Sequence, residues 1–299
     1  MNTHRKIYST LVAMISFLQA NAFAGEISIS SVCADCVIEK VAECGGFLEG
    51  ITTNSAGNIW VLDVTGDRIL QVVSGKCVER GKTGSQPNGA KFRSNGKLLI
   101  TAASGLLEFD PVTRKITNLT QGVGEQPIEG LNDLAIDAAG GLYFTAPGQS
   151  SIVHPNGRVY YWAPGAKEPQ LFADGIAFPN GIAVGPSDET VLVSEFAGKR
   201  ILTLPSATAT GPIKLAYVYA HTAGGVGVDG ITLDSRGRLY AANLGVPQIL
   251  VFSPDSTLIG SIKLTNYHKV LVTNLTILSD YLYFTESYNG IIYRLKLLL

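Results

Sequence analysis

Leu48-Glu49-Gly50-Ile51-Thr52-Thr53-Asn54-Ser55-Ala56-Gly57-Asn58-Ile59-Trp60-Val61-Leu62-Asp63 sets the pattern for the whole chain. A polar residue and a small or polar one lead it, then a short apolar alternation, a turn rich in Gly and Asn, and a β-rich run. The phrase returns five times, at Asn88-Gly89, Asn132-Asp133, Asn180-Gly181, Asp229-Gly230 and Asn274-Leu275. The leading residues fall at 49, 88, 132, 180, 229 and 274, a mean step of 45 residues. A repeat of that length with several strands in each copy is the signature of a propeller blade. Six copies predict an all-β, six-bladed β-propeller.

Around the repeats, helical periodicity is nearly absent, and period-2 runs rich in Val, Ile, Tyr and Thr alternate with Gly, Pro, Asn and Asp punctuation. In the first copy the inner strand is expected over 50–53, a second over 59–63, a third over 68–73 and a fourth from Lys76 to about Glu79. A radial array must join its last blade to its first, and a lent terminal strand also covers an open sheet edge. Glu26-Ile27-Ser28-Ile29-Ser30 alternates apolar and polar side chains and is the candidate for that strand.

Upstream of the repeats, Arg5 and Lys6 precede an apolar run from Ile7 to Leu18, and Ala22-Phe23-Ala24 offers a small-x-small cleavage site. Residues 1–24 therefore read as a signal peptide cleaved after Ala24, and 25–299 as a single propeller domain, periplasmic or secreted. The apolar run is too short to span a bilayer, which takes about 20 residues. Formal net charge is −1 and 16% of residues are charged, so the basic footprint of a nucleic-acid binder is missing. The four cysteines, Cys33, Cys36, Cys44 and Cys77, sit in the first third of the chain. In an exported protein they favour disulfides, with three connectivities open and a role in pinning the N-terminal segment to the first blade.

Inner strands of a propeller run side by side around a central channel, so equivalent positions at their starts form a ring. The ring expected here is Glu49, Asn88, Asn132, Asn180, Asp229 and Asn274. Tight turns also select Asn, Asp and Gly. Glu49, a poor turn residue, nevertheless keeps the same phase. Two carboxylates and several amide oxygens on one axis suit a hard divalent cation. Calcium is the first choice, with magnesium, manganese or zinc as alternatives.

These motifs resemble the SMP-30/gluconolactonase/regucalcin family over about residues 47–295. The resemblance rests on Glu49-Gly50, on Leu131-Asn132-Asp133 with Ala139-Gly140-Gly141-Leu142-Tyr143-Phe144, on Pro179-Asn180-Gly181-Ile182, and on the run from Asp229-Gly230-Ile231 to Arg238-Leu239-Tyr240. It implies a six-bladed propeller with an axial divalent metal and lactone-hydrolysing activity. By the same resemblance Glu49, Asn180 and Asp229 would hold the metal and Asp229 would also handle the proton. Asn132 would contact substrate or serve as a fourth ligand, and Asp133 would assist as in some relatives; Asn88 completes the substrate-facing set. One departure concerns specificity, because regucalcin-type members carry an Arg two residues before the Asn132 position and this chain has Gly130.

The four histidines, His4, His154, His221 and His268, share no phase, and no Gly-x-Ser-x-Gly elbow occurs. An exported, metal-dependent lactonase acting on a small lactone or related ester is the expected function. A non-catalytic NHL-like propeller that binds a protein or glycan, or a strictosidine-synthase-like enzyme, is the alternative. No nucleic acid and no membrane span are expected; the oligomeric state is left open.

Overall fold

The computed structural model describes residues 28–120, 122–124, 126–128, 130–211, 215–264 and 270–299. The expected signal peptide, His4, His268 and the first half of the expected lent strand lie outside them. Strands dominate, and no α-helix occurs among the described residues. Four four-stranded antiparallel sheets and one eight-stranded sheet account for all but one short ribbon. The eight-stranded sheet is held at its middle by a single parallel pairing, Glu43↔Lys76. Divided there, it gives two more four-stranded units, which we number with the others in chain order as blades 1 to 6.

Their inner strands are Leu48–Thr53, Pro87–Phe92, Leu134–Ile136, Pro179–Val184, Gly227–Leu233 and Val272–Leu278. Each packs against the next, and Val272–Leu278 returns to Leu48–Thr53, which closes the ring into a β-propeller. Buried aromatics such as Phe109, Tyr143, Phe144, Tyr240 and Phe284 fill the spaces outside the inner strands. The first blade follows the sequence expectation closely, with Ile59–Asp63, Arg68–Val73 and Lys76–Gly81 after its inner strand.

The closing strand does not. Ile38–Glu43 pairs antiparallel with Ile291–Lys296 and supplies the outer edge of blade 6. Within the segment expected for that role, Ile29–Ser31 forms a 3-10 turn packed against blade 5. A bulge between Lys40 and Ala42 interrupts the alternation of the true strand, so its sequence pattern is concealed. Arg238 clasps the N-terminal turn, donating to Asp234 at 2.6 Å, to the Ser31 carbonyl at 3.0 Å and to the Leu298 carbonyl at 2.8 Å. The turn at Ile29–Ser31 and the C-terminal Leu298 are thereby fixed to one side of blade 5.

Two disulfides are present, Cys33–Cys36 and Cys44–Cys77. The second joins the end of the closing strand to the outer strand of blade 1, beside the Glu43↔Lys76 pairing. It spans 33 residues, for which chain entropy gives about 4 kcal/mol. The N-terminal segment is thus tied to the first blade, as the cysteine pattern suggested.

Candidate metal centre

The start of nearly every inner strand carries a β-bulge. Register slips between Glu49 and Thr52, Pro87 and Ala90, Pro179 and Ile182, Val228 and Ile231, and Val272 and Leu275. A bulge leaves one residue out of the ladder and re-aims side chains. Here the extra backbone is wedged between neighbouring blades. A Cβ at Gly50 would lie 2.3 Å from the Asn88 carbonyl oxygen, and one at Gly181 would lie 2.5 Å from that of Asp229. Glycine therefore follows Glu49, Asn88, Asn180 and Asp229 because the next blade occupies the space.

Pairing fixes which residues are equivalent. Leu48↔Asp63, Pro87↔Ala102, Pro179↔Glu195, Val228↔Asn243 and Val272↔Glu286 lie at one level. The residues that follow are Glu49, Asn88, Asn180, Asp229 and Thr273. In blade 3 the Asp133 N–H donates to Thr145 Oγ1 at 2.9 Å, as Gly89 N–H does to Thr101 at 2.7 Å and Asn274 N–H to Thr285 at 2.9 Å. That match puts Asn132 in the ring and sets Asp133 level with Asn274 and the glycines. The ring expectation is therefore out by one residue in blade 6: Thr273 is the counterpart of Glu49, and Asn274 is the counterpart of Asp133.

Glu49, Asp133, Asn180, Asp229 and Asn274 are all buried, and Asn88 and Asn132 are half-buried. Burial pushes the Glu49 carboxyl well above the usual range, and the charges of Asp229 and Asp133 raise it further, against the Asn274 amide and the Gly50 N–H. Burial likewise raises Asp229, to about 8, and the Asn180 side chain partly offsets this. Asp133 is raised by burial and held down by the charge of Lys91 and by the Leu134 and Ile182 N–H groups. One oxygen of Glu49, Oε2, is buried with no hydrogen-bond partner.

Three mutually repelling, desolvated carboxyls, one with an unsatisfied oxygen, form a site short of positive charge, with Asp133 held down by Lys91. Among the described residues no three His, Cys, Asp or Glu side chains are placed to hold an ion by themselves. A cation here would draw on amide oxygens as well as carboxylates, which is the donor set of a hard, oxygen-seeking ion. The residues present fit such an ion.

Hydroxyl groups that sequence reasoning missed brace the ring from behind. Thr145 donates to the Asn180 carbonyl at 2.8 Å and Ser194 to that of Asp229 at 3.0 Å. Thr101 does the same for the Asn132 carbonyl. Each is fully buried and ties one blade to the axial backbone of the next. Their signal in the sequence is a Thr or Ser between an apolar residue and the end of a second strand, as in Phe144-Thr145-Ala146 and Val193-Ser194-Glu195.

Two residues before Asn180, Phe178 is held at φ 59°, which non-glycine residues seldom adopt. Ser150 Oγ accepts its N–H at 2.9 Å, and its ring lies 5.6 Å from that of Phe196. Gly130, the departure noted in the sequence, sits at φ 54°, with Gly148 3.5 Å from where a Cβ would lie. His154 and His221 are exposed loop and edge residues and take no part in the ring.

A β-propeller with an oxygen-rich axial ring at the start of its inner strands is the class that fold and site define together. The profile of the SMP-30/gluconolactonase/LRE-like region matches residues 47–288, and the chain belongs to that family. The lactonase drp35 of Staphylococcus saprophyticus is 27% identical over 252 residues, covering 80% of this chain and 76% of the relative. A rat adipocyte plasma membrane-associated protein is 32% identical over 154 residues, 45% of this chain and 40% of its own length. Among solved structures, a gluconolactonase from Xanthomonas campestris superposes with a TM-score of 0.79 at 20% identity, covering 90% of this chain and 92% of that one. A calcium-binding regucalcin from Agrobacterium tumefaciens gives 0.70 at 20% identity, with 89% and 94% covered. These structures share the fold, and the sequence relatives place the chain among lactonase-type propellers.

Proposed function

We propose that this chain is an exported, metal-dependent lactonase whose cation, calcium by preference, is held by Glu49, Asn180 and Asp229. The buried, unpartnered Glu49 oxygen within a ring of raised carboxyls is the observation that carries this reading. When bound, a divalent cation supplies Lewis-acid polarisation of an ester carbonyl. Asp229 holds or takes up the reaction's proton: burial keeps its carboxyl near neutrality without an ion, and the Asn180 amide fixes its orientation. Asn132 and Asn88, half-buried on the channel side of blades 2 and 3, offer amides to a substrate's oxygens. Asp133 adds a third carboxylate beside them.

Relationship to lactonase drp35 supports the reaction class, and the oxygen donor set supports a hard cation. Export is supported by the two disulfides, which persist in oxidising compartments. No helix among the described residues is long and apolar enough to cross a membrane. Asp229→Ala should lower kcat/KM for an aliphatic or aromatic lactone by about 10²–10⁴-fold in calcium-replete buffer. Unchanged turnover would remove Asp229 from the chemistry.

A further inference from the structure

Three residues beyond each axial position, the inner strands define a second level of the channel. The pairings Thr52↔Trp60, Lys91↔Leu99, Ala135↔Tyr143, Ala183↔Leu192, Thr232↔Tyr240 and Thr276↔Tyr283 put their first members in one plane. Three threonines, two alanines and one lysine thus replace the acids and amides above. A cavity of about 310 Å³ opens at this level, with Thr52, Thr53, Lys91 and Thr232 on its polar side and Ala135 and Ala183 among its apolar walls.

Lys91 makes no ion pair or hydrogen bond with any described residue, and the hydroxyls of Thr52, Thr53 and Thr232 likewise have no partner among them. Thr52 is 4% exposed as a residue, and its hydroxyl opens to the cavity rather than being sealed in the core. A half-buried ammonium and three free hydroxyls around one cavity can together satisfy an oxyanion, through charge-assisted and neutral hydrogen bonds. The two alanines at this level leave the room and offer an apolar surface that a purely inorganic ion could not use.

We propose that this lower level is a second ligand site, distinct from the axial ring, for a small aliphatic monocarboxylate. Its carboxylate lies against Lys91 and the threonine hydroxyls and its apolar body against Ala135 and Ala183. The charge of Lys91 also reaches Asp133 above, so the lysine stands between two anionic partners. This assignment does not depend on the lactonase reading.

Calorimetric titration of hexanoate tests it, using the whole protein both calcium-loaded and in EDTA. Saturable one-to-one binding is expected in both conditions, since the site needs no cation. Lys91→Met should weaken it at least tenfold while keeping the calcium-induced rise in melting temperature. Lys91→Arg should stay within about threefold of the wild type, and Thr52→Val should weaken binding several-fold; these two decide the matter if Lys91→Met does not fold. Equal binding by Lys91→Met, binding seen only with calcium, no saturable binding by the wild type, or preference for inorganic phosphate over hexanoate would each overturn the assignment.

Discussion

On the same six strands, Glu49, Asn88, Asn132, Asn180, Asp229 and Thr273 form one level of the channel, and Thr52, Lys91, Ala135, Ala183, Thr232 and Thr276 form the next. The upper level sits on bulged backbone, wedged against the following blade, and gathers negative charge it cannot satisfy alone. The lower level sits on regular ladder pairs and carries one cation and free hydroxyls. The fold supplies two rings of equivalent positions for the cost of one backbone solution. Chemistry is then assigned ring by ring, and bulge geometry decides where glycine is compulsory and where a side chain can be spent on a ligand.

The sharpest way to break that contrast is to neutralise the upper level. Glu49→Gln keeps size and one oxygen but removes a charge, so calcium affinity should fall at least a hundredfold. Because a bound ion stabilises by RT ln(1 + [L]/Kd), about 2.7 kcal/mol at a hundred times Kd, only the wild type should gain strongly in melting temperature on adding calcium. In EDTA the variant should melt at or above the wild type, since a repelling, desolvated carboxyl has been removed. Equal calcium shifts in the two proteins would take Glu49 out of the site.

A second, smaller effect is pH dependence without metal. The folded protein holds protons on Asp229, near 8, and on Glu49, while the unfolded chain releases them in the ordinary carboxyl range. That contribution to stability is present below about pH 4 and is lost as pH rises through 8. Melting temperature in EDTA should therefore decline across this window, less so in Asp229→Asn, and saturating calcium should abolish the decline. A flat wild-type profile in EDTA would show that the carboxyls are not desolvated.

The smallest expected effect concerns the scaffold behind the ring. Thr145→Val preserves shape but leaves the Asp133 N–H and the Asn180 carbonyl without their partner. A loss of about 2 kcal/mol in chemical denaturation is expected, with a few-fold loss of calcium affinity. The upper level is sharpened if both change together; a stability loss with unaltered affinity would mean that the ring does not rely on its braces.

Much of this was legible because bulges select recognisable residues. Asn88-Gly89, Asn180-Gly181 and Asp229-Gly230 announce the ring, since glycine is required where the next blade's carbonyl approaches. Where that signal is missing, the reading slipped: blade 6 has Thr273-Asn274, and the asparagine was taken for the leading residue when the threonine holds that place. The closing strand was missed for the converse reason, a bulge near Val41 that breaks its alternation, while Glu26 to Ser30 alternates without forming a strand among its described residues. Lys91 gave no local hint. A lysine in a strand reads as solvated until six strands close around it, and only the register shows what it faces.

The Cys44–Cys77 bridge bears on the order of assembly. Ile38–Glu43 pairs with Ile291–Lys296, so the edge of blade 6 emerges from the ribosome well before its partners. Until then that strand is an unpaired edge, the kind of surface on which chains associate wrongly. Both cysteines of the bridge lie within the first third of the chain, so oxidation can dock the waiting strand beside blade 1 long before its partner exists. The final blade then adds to a template already in place, and this long-range pairing is made as a local addition rather than a search between chain ends.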